Sequence, residues 1–411
     1  MKVLLVTDSY PPLIGGATRA AHLLARELVA RGHEVCVATI TQEGAPSREW
    51  FDGVEVRRLH GVTLRLPWFS ADPYRRNPPP FPDPETAFRL RRLVRTFGPD
   101  LVHAYGWMTY SCAVALLGTD TPMLLSARDY GNICAKRTLV FKGSVCSGPA
   151  PAKCAGCASS FYGVPKGLVA TVGVLTGRRL LRNRMRALHS VSGWMQEVMH
   201  QHLLPSGRGR ALPKAVIPDF RESVEEHAAD PELLVQLPDR PFILFVGALR
   251  RIKGIDELLA AYARLDSDVP LVLIGTMAPD TPARFPDGVT VLDQVPYATV
   301  MAAWDRALFG VFPSVLAEPL GNVLHEAMSR GRPVIGTKPG GHSEMVDDGE
   351  TGFLVPAGDP DALLAAMTRL IEDDLLRIRM GEVARERAAR FTAAEAMPRF
   401  EDLYRRAVGH A

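Results

Sequence analysis

MKVLLVTDSY PPLIGGATRA AHLLARELVA RGHEVCVATI, residues 1–40, opens the chain and decides its architecture. Lys2 to Thr7 is a short apolar run closed by Asp8, and Ser9 to Gly16 is a turn rich in proline and glycine. From Ala17 to Ala30, Ala21, Leu24, Ala25 and Leu28 recur at helical spacing until Gly32 stops the helix, after which Glu34 to Ile40 is apolar and β-branched. Strand, glycine loop, helix and strand make a βαβ unit. Further buried strands are expected at Val54 to Leu59, Leu101 to Ala104, Pro122 to Ala127 and Ala187 to Val191, mostly separated by helix-length segments. Such spacing gives a parallel sheet with helices on both faces.

The same alternation returns after an acidic, irregular stretch from Glu222 to Pro241, read as a linker. Strands are expected at Phe242 to Gly247, Pro270 to Gly275, Val289 to Leu292, Leu308 to Phe312, Pro333 to Gly336 and Gly352 to Val355. Helices fall between them at Ile255 to Leu265, Tyr297 to Trp304 and Gly321 to Ser329. The expected fold is therefore α/β, with two doubly wound domains at residues 1–220 and 238–396. Ligands of such sheets sit outside the carboxyl ends of the strands, so two sheets facing each other define a cleft. Pro67 to Pro84 is too proline-rich for an inner strand or helix and reads as an extended surface loop.

Composition narrows the function. Of 411 residues 47% are hydrophobic and 23% charged, with 48 basic against 45 acidic side chains and a formal net charge of +3. Disorder, collagen and small disulfide scaffolds are excluded. The balanced charge supplies no global field for nucleic acid, and 8 Lys against 40 Arg looks more like codon bias than a binding surface. No run reaches the ~18 apolar residues of a membrane span, and no leader peptide is expected before the Pro11-Pro12 pair. Six cysteines in so long a chain favour a reducing cytoplasm.

The most specific chemistry lies where Leu308 to Phe312 runs into Pro313-Ser314 and then Glu318-Pro-Leu-Gly-Asn-Val-Leu-His-Glu326. Gly321, Asn322 and Val323 would present main-chain N–H groups at a helix N-terminus, which with the helix dipole suits a phosphate. Glu326 lies about 7–8 Å further along at ~1.5 Å per residue, a position from which it could accept hydrogen bonds from a ribose. Glu318, on the loop side, could hold sugar hydroxyls. Upstream, Phe245-Val246-Gly247-Ala248-Leu249-Arg250-Arg251-Ile252-Lys253-Gly254 joins a strand end to three cations suited to a departing diphosphate, and Gly340-Gly341 is a turn that could border the same ligand.

This ordered set resembles the retaining nucleotide-sugar glycosyltransferases of family 4, which have the GT-B fold, and the resemblance covers nearly the whole chain. It is carried by Gly15-Gly16, the Gly-x-Leu-x3-Lys-Gly turn ending at Lys253-Gly254, Glu318-x7-Glu326, the run Glu326-Ala-Met-Ser-Arg-Gly-Arg-Pro-Val334, and Gly340-Gly341 with Glu344. It implies a nucleoside diphosphate sugar donor bound by Gly15, Gly16, Lys253, a neighbouring Arg250 or Arg251, Gly321 to Val323, Glu326 on the ribose, Glu318 on the sugar, and Val295 near the base. Lys253, Glu318 and Arg128 become the catalytic candidates. On the same resemblance Asp129 and Tyr130 would face the acceptor, a glycan, lipid-linked molecule or natural product; His103 would lie near the cleft or serve as a packed, hydrogen-bonded structural residue, and no catalytic divalent metal is expected. A C-terminal helix at about 397–411 is expected to return to the first domain.

Two departures stand out. Ala248 follows Gly247 where the family often has Arg, and Ser126-Ala127-Arg128-Asp129-Tyr130 carries Arg128 where the family usually has His. A guanidinium cannot serve as a base near neutral pH, although in a same-face transfer the departing phosphate can take the acceptor proton. These departures also fit a sugar-nucleotide-binding homologue, and a GT-B nucleotide-sugar epimerase is a further alternative. Cys134, Cys146, Cys154 and Cys157 match cysteines of a related subgroup and fit structural zinc, a disulfide or free thiols, or an iron–sulfur cluster. Arg178 to Arg186 reads as a basic amphipathic helix, either a solvated face or a peripheral contact with anionic lipid or acceptor. Asp266-Ser-Asp268 precedes a strand and is read as solvent-facing.

Overall fold

The computed structural model describes residues 1–13, 15–66, 76–204, 212–221 and 229–409. The chain divides into two compact units, one built from Met1–Phe141, Cys146–Glu222 and Thr392–Ala411, the other from Lys142–Val145 and Ser223–Phe391.

The first unit is organised on eight strands: β1 (Lys2–Val6), β2 (Glu34–Ile40), β3 (Arg48–Phe51), β4 (Val54–Leu59), β5 (Leu101–Tyr105), β6 (Met123–Ala127), β7 (Met185–Ser190) and β8 (Lys214–Val216). They lie in the order β8-β7-β6-β5-β1-β2-β4-β3. All neighbours are parallel except β3 and β4. The inner strands β1, β5 and β6 are buried on both faces, because helices cover both sides of a parallel sheet. Edge strand β3 alternates exposed and half-buried residues, too weak a pattern to announce a strand.

Helix α1 (Gly16–Ala30) buries Ala21, Leu24, Ala25 and Leu28 as its spacing requires. The described end of the proline-rich loop is more ordered than expected: Asp83 accepts the Thr86 N–H at 2.9 Å, and Pro84 starts α2 (Pro84–Phe97). A proline fits the first helical turn because its missing N–H would find no partner there; residues 67–75 lie outside the described residues. Helix α3 (Met108–Ala115) follows β5, while α4 (Pro151–Tyr162), α5 (Val164–Arg184) and α6 (Gly193–His202) flank β7.

The second unit has one parallel six-stranded sheet: β9 (Phe242–Val246), β10 (Leu271–Ile274), β11 (Val289–Leu292), β12 (Ala307–Phe312), β13 (Val334–Lys338) and β14 (Gly352–Pro356), ordered β11-β10-β9-β12-β13-β14. A short helix, α7 (Pro231–Leu234), lies within the stretch read as an irregular linker, and the main-chain N–H of Asp230 donates to Thr299 Oγ1 at 2.8 Å. The next helices are α8 (Ile255–Tyr262), α9 (Tyr297–Arg306), α10 (Asn322–Ser329), α11 (His342–Met345), α12 (Pro360–Glu372) and α13 (Asp374–Ala388).

The last helix, α14 (Ala393–Val408), begins four residues before the expected Met397, capped by Thr392. Met397, Phe400, Leu403, Tyr404 and Ala407 join the core of the first unit with Leu5 and Leu24. Their i, i+3, i+4, i+7 spacing makes one apolar stripe, so the end of the chain is part of the core formed by its beginning.

Candidate functional site

In the second unit the carboxyl ends of β9 and β12 lie side by side. Gly254 adopts φ +77°, and a Cβ there would stand 1.9 Å from the Pro313 carbonyl oxygen. Only glycine allows that approach. The loop after β12 is stitched to the loop after β9 as Val315 N–H donates to Ile252 O at 3.2 Å. Lys253 is thereby aimed at Glu318, its Nζ 2.6 Å from Oε1. Ser314 Oγ donates to the same oxygen at 2.5 Å.

The support around Glu318 is closely packed. Gly341 N–H donates to Glu318 O at 2.6 Å, and Thr337 Oγ1 donates to Ser314 O at 2.7 Å. Thr337 N–H donates to His342 Nδ1 at 3.2 Å, making that nitrogen the acceptor. Gly321 caps α10 at φ +96°, where a Cβ would lie 2.6 Å from the His342 ring. Burial pushes the Glu318 carboxyl up, but Lys253, His342 and the hydrogen bonds from Lys253 and Ser314 outweigh it and hold it below its ordinary value. Burial also lowers His342 to about 4, against the upward pull of Glu318. The group is an ionised carboxylate, an ammonium and a neutral imidazole beside a helix N-terminus.

Gly321, Asn322 and Val323 form the start of α10, and Glu326 is buried on that helix one turn further along. The other cations are engaged elsewhere: Arg250 Nε meets Asp280 at 3.0 Å and the exposed Arg251 meets Asp256 at 3.2 Å. Of the three expected cations, Lys253 is the one paired to Glu318. Val295 is half-buried, three residues beyond β11.

The first unit collects charge at the carboxyl ends of β1, β5 and β6. Asp8 accepts the N–H groups of Trp107 at 3.0 Å and Met108 at 2.8 Å, and Arg137 donates to it at 3.0 Å. Arg137, at φ +63°, also pairs with Asp129. Burial raises the Asp8 carboxyl despite Arg137. Arg128 donates to Asp219 at 2.6 Å, both side chains being about nine-tenths buried at 11% and 7% exposure. Gly15 and Gly16 are exposed at the start of α1, with Gly15 extended and without a side-chain cap.

Four further features of the sequence take these places in the structure. His103 does not present itself to an acceptor: it is fully buried, its Nδ1 2.8 Å from Tyr404 Oη and its ring stacked on Tyr105. Tyr130 is likewise fully buried and accepts from Trp194 Nε1 at 2.8 Å. Among the described residues no group of three or more His, Cys, Asp or Glu is arranged to hold a metal ion. The thiols are turned to the main chain instead, Cys146 Sγ to Gly148 O at 3.5 Å and Cys157 Sγ to Val140 O at 3.9 Å, while Cys154 Sγ accepts from Ala150 N–H at 3.3 Å; Cys134 is also a free thiol. Finally, Arg178, Arg182 and Arg184 donate to the carbonyls of His202, Leu203 and Thr119, so they fasten α5 rather than form a solvated basic face.

His189 gives the first unit a pH dependence. Burial lowers it to about 4 despite its hydrogen bond to Ile217 O. The unfolded chain, titrating near 6.5, therefore binds a proton first as pH falls. Stability is fully present above pH 6.5 and is lost progressively down to about pH 4, by roughly 3 kcal/mol for this one group. Urea denaturation at pH 7 and pH 4.5 should show that loss, and His189→Gln should reduce it by the share of this one group, with buried His103 and His342 still contributing in the same direction.

Comparison with known proteins fits this geometry. Residues 15–215 match the glycosyl transferase 4-like domain and residues 240–373 match glycosyl transferases group 1. Among solved structures, sucrose-phosphate synthase from Thermosynechococcus elongatus superposes with a TM-score of 0.74 at 21% identity, covering 100% of both chains. HepE of Anabaena, solved in complex with UDP-glucose, superposes with a TM-score of 0.67 at 17% identity, covering 98% of both chains. The architecture is the GT-B fold, and the chain belongs to the group 1 glycosyltransferases with a 4-like first domain. The D-inositol 3-phosphate glycosyltransferase of Corynebacterium glutamicum (strain R) is 34% identical over 41% of this chain and 44% of its own length. The matching enzyme of Corynebacterium diphtheriae is 30% identical over 50% of this chain, so the chain spans about half the length of these relatives. The alpha-maltose-1-phosphate synthase of Mycolicibacterium smegmatis is 28% identical over 99% of both chains.

Sequence reasoning missed Ser314 and His342 as members of the Glu318 cluster, and Asp8, Arg137 and Asp219 in the first unit. Asp8 carried a signal, a carboxylate at the end of the first strand. Asp219 carried none, since it meets Arg128 from 91 residues away.

Proposed function

We propose that the protein is a retaining glycosyltransferase that moves a sugar from a nucleoside diphosphate sugar to an acceptor hydroxyl. The observation that carries this reading is the Lys253–Glu318–Ser314 cluster at the start of α10. The donor diphosphate would take the main-chain N–H groups of Gly321 to Val323 and the Lys253 ammonium, while Glu326 accepts from the ribose and Glu318 orients the sugar. Arg250, Arg251 and Val295 would border the nucleotide, and Asp129 the acceptor side. The solved HepE complexes with UDP and UDP-glucose support a donor of this chemical class.

As the bond between the anomeric carbon and phosphate oxygen breaks, negative charge grows on the diphosphate, where Lys253 and the helix N-terminus stabilise it without a divalent metal. The acceptor oxygen bonds to the anomeric carbon from the same face. Its proton passes to the departing phosphate, so Arg128 need not act as a base. The test is donor affinity: Glu326→Ala should weaken binding of the nucleoside diphosphate by about tenfold or more in calorimetry, the loss of a charge-assisted hydrogen-bond pair. Unchanged affinity would remove Glu326 from the site.

A second reading, a sugar-nucleotide-binding protein without transfer, is favoured by the engagement of Arg128 with Asp219. Slow nucleotide release from the donor in the absence of acceptor would support the enzyme. Binding with no turnover toward any acceptor would support the second reading.

A further inference from the structure

Helix α5 has two contrasting faces. Its inward face is made of small residues: a Cβ on Gly167 would stand 2.4 Å from Ser159 N, and one on Gly177 would stand 2.4 Å from the Tyr110 ring. These glycines let α5 lie close against α4 and α3. The opposite face should be polar in a helix that meets only water. It is apolar instead, with Val164 63%, Leu168 45%, Val169 37% and Val172 60% exposed, and Phe161 at the end of α4 50% exposed. At 3.6 residues per turn the four α5 side chains fall within one sector, which Arg179 extends toward the helix end.

Charge around this face is one-sided. From Tyr130 to Gln196 the chain has ten Lys and Arg residues and no Asp or Glu, although the whole chain is nearly balanced at 48 to 45. Arg137, Arg178, Arg182 and Arg184 are engaged with Asp8 and Asp129 or with main-chain carbonyls, so the cations on or beside α4 and α5 that matter here are Lys136, Lys153, Lys166 and Arg179. Lysines stand beside aromatic rings there: Lys136 Nζ is 5.8 Å from the Phe161 ring centre and Lys166 Nζ is 5.6 Å from that of Tyr162. Aliphatic side chains projecting outward among long-stemmed cations match the boundary between acyl chains and phosphate headgroups. A second copy of the chain is a poor occupant, because a two-fold contact would set the same cations against themselves.

We propose that the outward face of Phe161 to Val172 docks on an anionic lipid bilayer, with Phe161, Val164, Leu168 and Val172 entering the interface and Lys136, Lys153 and Lys166 meeting lipid phosphates. Among the described residues no helix is long and apolar enough to cross a membrane, so the contact is peripheral. This surface is independent of the donor site and goes beyond the transfer reaction.

The test is co-sedimentation of the full chain with vesicles of phosphatidylcholine containing about one-third phosphatidylglycerol, at ~0.1 M salt. The protein should pellet with these vesicles and stay in solution with pure phosphatidylcholine. Leu168→Asp/Val172→Asp should cut partitioning at least about tenfold, and Lys136→Gln/Lys153→Gln by about fivefold per charge. Both variants alter exposed or half-buried groups, so melting temperature and nucleotide binding should match wild type. The proposal is overturned if wild type ignores the anionic vesicles, if it binds pure phosphatidylcholine equally, or if the double aspartate variant pellets unchanged. A dimer abolished by that variant, with no vesicle binding, would assign the face to a second copy and also overturn it.

Discussion

Lys253→Ala should lower kcat/KM for sugar transfer by about 10²–10³-fold, the usual cost of deleting one preorganised charge at a developing anion. Most of the loss should appear in kcat, because the diphosphate carries more charge as it departs than in the ground state. The variant also leaves Glu318 without its ammonium partner. It should therefore melt at a lower temperature as well, and a fall in activity alone would not identify the cause. The double variant Lys253→Met/Glu318→Gln separates the two effects, since it removes both charges together. Its melting temperature should return toward wild type while its turnover stays low. Stability and turnover recovering together would make the pair structural and would move the transfer site elsewhere.

The second large effect is expected in the first unit. Arg128→Met should destabilise the fold by about 3–5 kcal/mol, because it removes the guanidinium that donates to the Asp219 carboxylate in a site 7% exposed. Adding Asp219→Asn should restore most of that loss, since a neutral amide then faces the neutral side chain. Urea denaturation of the two single variants and the double variant measures the coupling directly. If the double variant also transfers sugar, Arg128 is a structural replacement for the family histidine. If it is stable but inactive, Arg128 contributes to the reaction.

The two sheets were legible because buried parallel strands leave a local trace: runs such as Val3-Leu4-Leu5-Val6 and Phe242-Ile243-Leu244-Phe245 bounded by turn residues. The approach of Lys253 to Glu318 was foreshadowed by the same principle, since each follows a strand and the strands are neighbours. What stayed hidden depends on pairing across long chain distances. Arg137 bridges Asp8, 129 residues upstream, and Asp129, a geometry that no spacing rule describes. His103 stayed open between two roles for a related reason. A histidine at a strand end looks the same in sequence whether it meets solvent or, as here, Tyr404 from the last helix. Nor could the basic run at Arg178 disclose that three of its guanidinium groups are consumed by main-chain carbonyls. The outward apolar face of α5 was masked by the glycines interleaved with it.

The central claim is that a donor diphosphate seats at the start of α10 beside Lys253. A crystal structure of the protein grown with a nucleoside diphosphate sugar tests it most directly. The account predicts phosphate oxygens within hydrogen-bond distance of the Gly321 to Val323 N–H groups and of Lys253 Nζ, with Glu326 on the ribose. A diphosphate bound elsewhere, with Lys253 and Glu318 still joined only to each other, would contradict it.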